Sequence, residues 1–209
     1  MRFDDWKPFY DAIRADFGYS LDADKRSARF LDDRFGGFDT DRIDRLLRGE
    51  KVAVVGDAPS LEPSRLPDDT VVIAADAATE RLTEAGVSAD VVVTDLDGAP
   101  RLAAELSSES VVAVHAHGDN RDALERWLPE FEKENVVGTT QTCPFGSLHN
   151  FGGFTDGDRA AYLADAFGAS TIELYGFDFD AATGEKRRKL RWARRLLRVL
   201  AEKRDEKLV

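Results

Sequence analysis

The chain has 209 residues, 43% of them hydrophobic, which fits one folded domain with a real core and excludes a disordered segment. Its formal net charge of -11 repels nucleic acid and anionic membrane from the surface as a whole, so a nucleotide substrate would need local cations or a metal. Cys143 is the single cysteine, which excludes an internal disulfide and a cysteine-based metal site within one chain. No apolar run approaches the ~20 residues that span a bilayer. The first residues are charged and lack a signal-type apolar segment, so a cytoplasmic protein is expected. Asp is abundant and only eight of the 29 basic residues are Lys, a profile suited to solubility in high salt.

Residues 1–49 read as helical and polar, interrupted by FGGFD at 35–39, and are expected to form an N-terminal helical appendage. Residues 50–209 are expected to form the main α/β domain. Five β-rich runs follow in order, at 51–56, 70–76, 89–95, 110–116 and 170–176. They are nearly continuous in apolar residues, as strands buried on both faces are. A shorter apolar piece at Val136 and Val137 is a further candidate strand. Helical stretches at 77–86, 99–108, 120–134 and 157–168 separate most of them. This alternation predicts an α/β fold, a Rossmann-like, mostly parallel sheet with helices on both faces.

Each run ends in a polar cluster, and in open parallel sheets ligands bind at the carboxyl ends of the strands. After the first run comes GDAPSL, where Gly56 permits a tight turn and backbone N–H groups near Ser60 suit phosphate. Neither a Walker A loop nor G-x-G-x-x-G is present, and a plain turn is the competing reading. Asp76 closes the second run and is a candidate substrate contact. After the third, TDLDG sets Asp95 and Asp97 two residues apart, on one side of an extended backbone, where two carboxylates suit Mg²⁺; an Asp/Gly-rich surface turn is the alternative. The fourth ends in HAHGDN. There His115 and His117 share a strand face, but zinc lacks a third soft ligand beyond His149 and Cys143. His117 is a candidate phosphate or substrate contact. Asp119 reads either as a helix cap or as a metal ligand or base, and the functional reading is favoured.

In NFGGFTDGDRA, residues 150–160, Thr155 or Asp156 caps a helix and Asp158 suits its first turn. Capping leaves Gly152 and Gly153, flanked by Phe151 and Phe154, unexplained. An aromatic loop that stacks on a planar ring, with Asp156 or Asp158 accepting N–H bonds from the ring edge, accounts for them. Residues 186–207 carry eleven basic and three acidic side chains, with Leu190, Ala193, Leu197 and Leu200 forming a buried stripe. Lys186 and Lys189 begin that helix, just after YGFDFD, within reach of the strand-end edge.

The ordered set GDAPSL, VVTDLDG, HAHGDN, GTTQ, NFGGFTDGDRA, YGFDFD and K-x-x-K-L resembles the archaeal 6-hydroxymethyl-7,8-dihydropterin pyrophosphokinases. These are similar in their core to thiamin pyrophosphokinases. The resemblance covers nearly the whole chain, most tightly residues 51–190. It implies ATP as co-substrate, Mg²⁺ as cofactor and a hydroxymethyl pterin as acceptor, in tetrahydromethanopterin or folate synthesis. Asp95 and Asp97 match the family's acidic metal motif, with Asp119 added as a ligand or hydroxyl-orienting group. Asn120 completes the HGDN motif on the nucleotide side, and Lys186 and Lys189 match the late basic motif. The family's first loop usually reads G-x-G-P-S-L, and here Ala58 replaces the second glycine. The competing expectations are a thiamin-type diphosphokinase and a non-catalytic nucleotide- or RNA-binding protein. Oligomeric state is left open.

Overall fold

A computed structural model describes residues 1–35 and 40–209. The expected break at 35–39 lies outside the described residues, apart from Phe35, where a helix ends. Three helices come first: α1 (Phe3–Phe17), α2 (Leu21–Phe35) and α3 (Asp41–Leu47). Then follow β1 (Lys51–Val55), β2 (Val71–Ala75), α4 (Ala78–Glu84), β3 (Val91–Thr94), α5 (Pro100–Leu106), β4 (Val111–Ala116), α6 (Arg121–Trp127), β5 (Val136–Thr140), α7 (Asp156–Ala166), β6 (Thr171–Tyr175) and α8 (Gly184–Arg204).

The six strands form one sheet in the order β5-β4-β3-β2-β1-β6. All five pairings are parallel, with Val52 of β1 opposite Val71 of β2 and Ile172 of β6. The expected α/β architecture is therefore present, with every strand parallel and the piece at Val136 and Val137 grown into a full strand. The helix expected over 120–134 stops at Trp127 and gives way to a 3-10 turn at Leu128–Glu130. Pro129 lacks the N–H that a further α-turn requires.

Both sheet faces are covered, as their continuous apolar strands demand. One core packs α1, α3, α7 and α8 against Val54, Ile73 and Val93. The other packs α2, α4, α5 and α6 against Val72, Val92 and Val114. The N-terminal helices thus enter both cores, with Trp6, Tyr10 and Ile13 on one face and Ala28 and Leu31 on the other. Gly18, at φ 76, closes α1 in the left-handed conformation that glycine adopts without a Cβ penalty. The α1–α2 corner that follows lies over the carboxyl edge of the sheet, tied there by side chains. The Trp6 indole N–H donates to the Gln141 carbonyl at 2.9 Å, and Asp24 accepts the Gly118 N–H at 2.7 Å. Among the described residues, no helix is long and apolar enough to cross a membrane.

Candidate active site

At the carboxyl edge, one carboxylate oxygen each from Asp76, Asp95 and Asp156 lies within 4.8 Å of the others. The three come from the ends of β2 and β3 and the first turn of α7. Two backbone positions here are in the left-handed region without being glycine: Asp76 at φ 46 and Leu96 at φ 71. Such conformations cost of order 1–3 kcal/mol each and are held by their surroundings. Thr94 is one such restraint. Its hydroxyl donates to Asp76 at 2.6 Å and accepts the Leu96 N–H at 2.8 Å. The turn at Leu96 also breaks the extended geometry expected for TDLDG. Asp95 is drawn inward while Asp97 stays exposed, although both line the same cavity.

The charges are arranged around Asp95. Burial opposes its ionisation, but the His117 hydrogen bond at 3.1 Å and the Arg159 guanidinium at 4.0 Å overcome that and hold it at about 2. Its neighbours move the other way. Burial pushes Asp76 up to about 7 against the Thr94 hydrogen bond, with the Asp95 and Asp97 charges adding to the rise. Burial and then the Asp95 charge push Asp156 well above the ordinary carboxylate range, although Arg159 pairs with it at 3.0 Å. Asp97 is raised for the same first two reasons. So many carboxylates in one place resist simultaneous ionisation. Asp95 Oδ1 is buried and has no hydrogen-bond partner. An orphaned carboxylate oxygen facing two other carboxylates fits a hard divalent cation with oxygen ligands.

Two cavities flank the triad. The first, of about 380 Å³, lies under the α1–α2 corner and is lined by Tyr19, Asp24, Asp97, His117, Asp119 and Lys189, among others. The second, of about 440 Å³, lies between the first loop and the segment joining β6 to α8, with Ala58, Phe177, Phe179 and Lys186 in its wall. Thr155 and Asp156 form part of both walls. Asp95 faces the first cavity and Asp76 the second.

This geometry sorts the residues singled out from sequence. Asp95, Asp97, Asp119, His117, Phe154, Asp156 and Lys189 meet at the first cavity; Gly56, Asp76 and Lys186 meet with Asp156 at the second. The compact three-carboxylate group contains Asp95 but draws its other members, Asp76 and Asp156, from residues expected to touch substrate. Asp158 is a correction. It is fully buried and spends its carboxylate on the Phe154 and Thr155 N–H groups and the Thr155 hydroxyl, a capping box that closes α7. Phe151 is another, for it stacks on His149 and packs edge-on to Phe167 in the core. Gly152 and Gly153 are explained by backbone instead. Both have positive φ, and a Cβ on Gly153 would lie 2.6 Å from Arg159 Cα. Asn120 is buried and bonded to the His117 N–H and to the Asp95 and His115 carbonyls, so it braces the site.

The first loop also departs from expectation. The Gly56 and Ala58 N–H groups donate to the Tyr175 and Gly176 carbonyls, and the Ser60 N–H to Asp178. These donors are engaged within the protein and not held out for phosphate. Gly56 is required because a Cβ there would sit 2.7 Å from the Gly176 carbonyl oxygen. Ala58 is not among the residues with positive φ, so its replacement of glycine carries no strain. His115 is buried against Thr139, and burial holds its ring well below its ordinary value and so neutral.

Sequence reasoning passed over Arg159, Thr94, Tyr19 and Asp24. Arg159 had a signal, an Arg three residues after Asp156 on one helix face. Tyr19 and Asp24 had none, since only the tertiary fold brings α1 and α2 to the site.

A family model for the MptE-like 6-hydroxymethylpterin diphosphokinases matches residues 35–184. A 6-hydroxymethyl-7,8-dihydropterin pyrophosphokinase of Pyrococcus furiosus is 42% identical, over 100% of this chain and 98% of that one. Proteins of the same name from Methanothermobacter thermautotrophicus and Methanocaldococcus jannaschii are 44% and 33% identical, over 83% and 97% of this chain and 77% and 97% of theirs. Among solved structures, part of the MAf glycosyltransferase from Magnetospirillum magneticum AMB-1 is similar with a TM-score of 0.45 and 20% identity, over 71% of this chain and 29% of that one, too loose a likeness to carry functional weight. With its acidic strand ends gathered at one edge and this agreement along nearly its full length, the chain belongs to the MptE-like 6-hydroxymethylpterin diphosphokinases.

Proposed function

We propose that this protein transfers the pyrophosphoryl group of ATP to 6-hydroxymethyl-7,8-dihydropterin, with a divalent cation, Mg²⁺ by preference, on Asp76, Asp95 and Asp156. The observation that carries this is the position of the triad between two cavities, in a chain of this family. Attack by the hydroxymethyl oxygen on the β-phosphorus forms one P–O bond and breaks the bond from that phosphorus to the oxygen shared with the α-phosphate, so AMP leaves with that oxygen and the hydroxyl proton is released to solvent. Attacking and leaving oxygens lie on opposite sides of the reacting phosphorus, which calls for two substrates approaching one charged centre from two sides. When bound, the cation supplies Lewis-acid neutralisation of phosphate charge.

The chain's own residues do the rest. His117 and Arg159 hold Asp95 ionised and aimed. Thr94 fixes Asp76, and Asn120 braces the HGDN turn against the TDLDG turn. Arg159 and Lys189, which line the first cavity, would offset charge on the leaving phosphate, and Lys186, in the second, charge on the transferred group.

The test is product analysis on purified protein supplied with ATP, Mg²⁺ and 6-hydroxymethyl-7,8-dihydropterin. The expected products are pterin diphosphate and AMP, one for one, with none in excess chelator and none from thiamin. ADP released one-for-one with pterin consumption would make this a simple kinase and defeat the reading.

A further inference from the structure

The two cavities are alike in size and differ in chemistry, and the proposed reaction needs two dissimilar ligands. We infer that the nucleotide occupies the cavity under the α1–α2 corner and that the pterin occupies the cavity between the first loop and the β6–α8 segment. This rests on the function proposed above and adds which wall reads which substrate.

Charge is the first argument. ATP is a polyanion and the pterin is neutral. Arg159 and Lys189 line the first cavity beside five carboxylates and Lys186 lines the second beside four, so the acids nearly balance and the first wall offers two fixed cations to a phosphate chain where the second offers one. The carboxylates Asp95 and Asp97 on the first cavity's floor suit a cation-bound phosphate chain and would repel one without it.

Hydrogen-bonding capacity is the second. A phosphate chain in the second cavity would look to the first loop for N–H donors, but those of Gly56, Ala58 and Ser60 are already given to the Tyr175 and Gly176 carbonyls and to Asp178. What the second cavity offers is spare acceptor capacity, on Asp178 beyond the oxygen that takes the Ser60 N–H and on Asp57 beyond the oxygen 3.4 Å from Arg81. A pterin presents its 2-amino group and N3–H side by side as donors, which a carboxylate accepts. Adenine presents an acceptor nitrogen beside its amino group, which a carboxylate disfavours and an amide matches. Gln141 lines the first cavity, and so does the half-exposed Tyr19 ring, backed by Phe154.

Shape is the third. The second cavity is lined by the small side chains of Ala58, Ala77 and Ala182 together with the Phe177 and Phe179 rings, whose centres are 5.9 Å apart, walls that suit a flat bicyclic ring. Residues 18–24, part of the nucleotide's wall on this assignment, lie before the stretch that the family model matches.

The experiment measures each ligand's binding without turnover. Fluorescence of 6-hydroxymethylpterin reports one, and calorimetry with the magnesium complex of α,β-methylene-ATP reports the other, each alone and with its partner saturating. Phe179→Ala and, separately, Ala182→Trp are expected to weaken the pterin about tenfold or more and to leave the nucleotide analogue within about twofold. Lys189→Ala is expected to do the reverse. A thermal melt on each variant confirms folding, and the two pterin-side variants act by opposite means, removal and filling. The opposite pattern, or loss of both ligands in any folded variant, would overturn the assignment while leaving the reaction standing. Wild-type protein that binds no pterin and forms no pterin diphosphate would overturn the reaction itself.

Discussion

Asp156 and Asp158 sit two residues apart on the first turn of α7, and the fold gives them unrelated tasks. Asp158 satisfies backbone donors that would otherwise be buried unpaired. Leaving such groups unmet costs about 1–3 kcal/mol, so Asp158→Ala is expected to lower unfolding stability by that amount in a denaturant titration. Its KM for the pterin should stay near wild type at temperatures where the protein is folded. Asp156→Asn is expected to behave in the opposite way, with little loss of stability and kcat reduced by about 100-fold or more. Equal losses of kcat in both folded variants would return Asp158 to the substrate. The sequence showed two acids at a helix start and left both tasks open to both. A first-turn carboxylate serves as a cap or as a ligand through the same chemistry, and only the neighbours decide. Asp95 was easier to find, since an acid at the end of VVVT has little else to do. Its true companions were harder, because Asp76 and Asp156 are 19 and 61 residues away along the chain and meet it only through the sheet and α7.

At the scale of elements, α8 ties the two cavities together. Lys186 and Lys189 are three residues apart in its first turns, and each enters a different cavity on either side of Thr155 and Asp156. Further along, Arg195 and Arg198 are exposed and lie about 9 and 14 Å beyond Lys189 at 1.5 Å per residue. A solvent-screened charge at that distance does little for chemistry. Lys186→Ala with Lys189→Ala is therefore expected to lower kcat/KM for ATP by about tenfold or more in steady-state assays. Arg195→Ala with Arg198→Ala should change it less than about twofold. Comparable damage from the distal pair would mean that the helix acts as a diffuse electrostatic surface. The elements themselves were largely legible. Continuous Val and Ala runs announce strands buried on both faces, and five of the six were read within a residue or two of their bounds. β5 was read only as a short piece, because Gly138, Thr139 and Thr140 dilute its apolar signal.

At the scale of the whole molecule, the first helices are packed into the body more closely than their sequence suggests. They carry none of the motifs and precede a glycine-rich stretch, so they read as an appendage. Trp6, Tyr10 and Ile13 do recur at helical spacing, which announces a buried face but cannot say what buries it. In the structure all three are fully or nearly fully buried in one core, and Ala28 and Leu31 of α2 are in the other. Losing one large buried side chain costs about 2–5 kcal/mol, and a domain's whole stability is about 5–15 kcal/mol. Removing α1 and α2 together therefore exceeds what the remainder can absorb. It also strips Tyr19 and Asp24 from the first cavity and frees the Gly118 N–H that Asp24 holds. A protein beginning at residue 36 is thus expected to show no cooperative thermal transition and no pterin diphosphate formation, even though the family model itself begins at residue 35. A milder change separates folding from function: Asp24→Ala keeps the Trp6, Tyr10 and Ile13 side chains, removes the acceptor of the Tyr10 hydroxyl and releases the HGDN turn. It should retain a cooperative melt while losing more kcat than an exposed control such as Asp22→Ala on the same helix. If residues 36–209 alone melted cooperatively and turned over at the wild-type rate, α1 and α2 would be a detachable appendage after all.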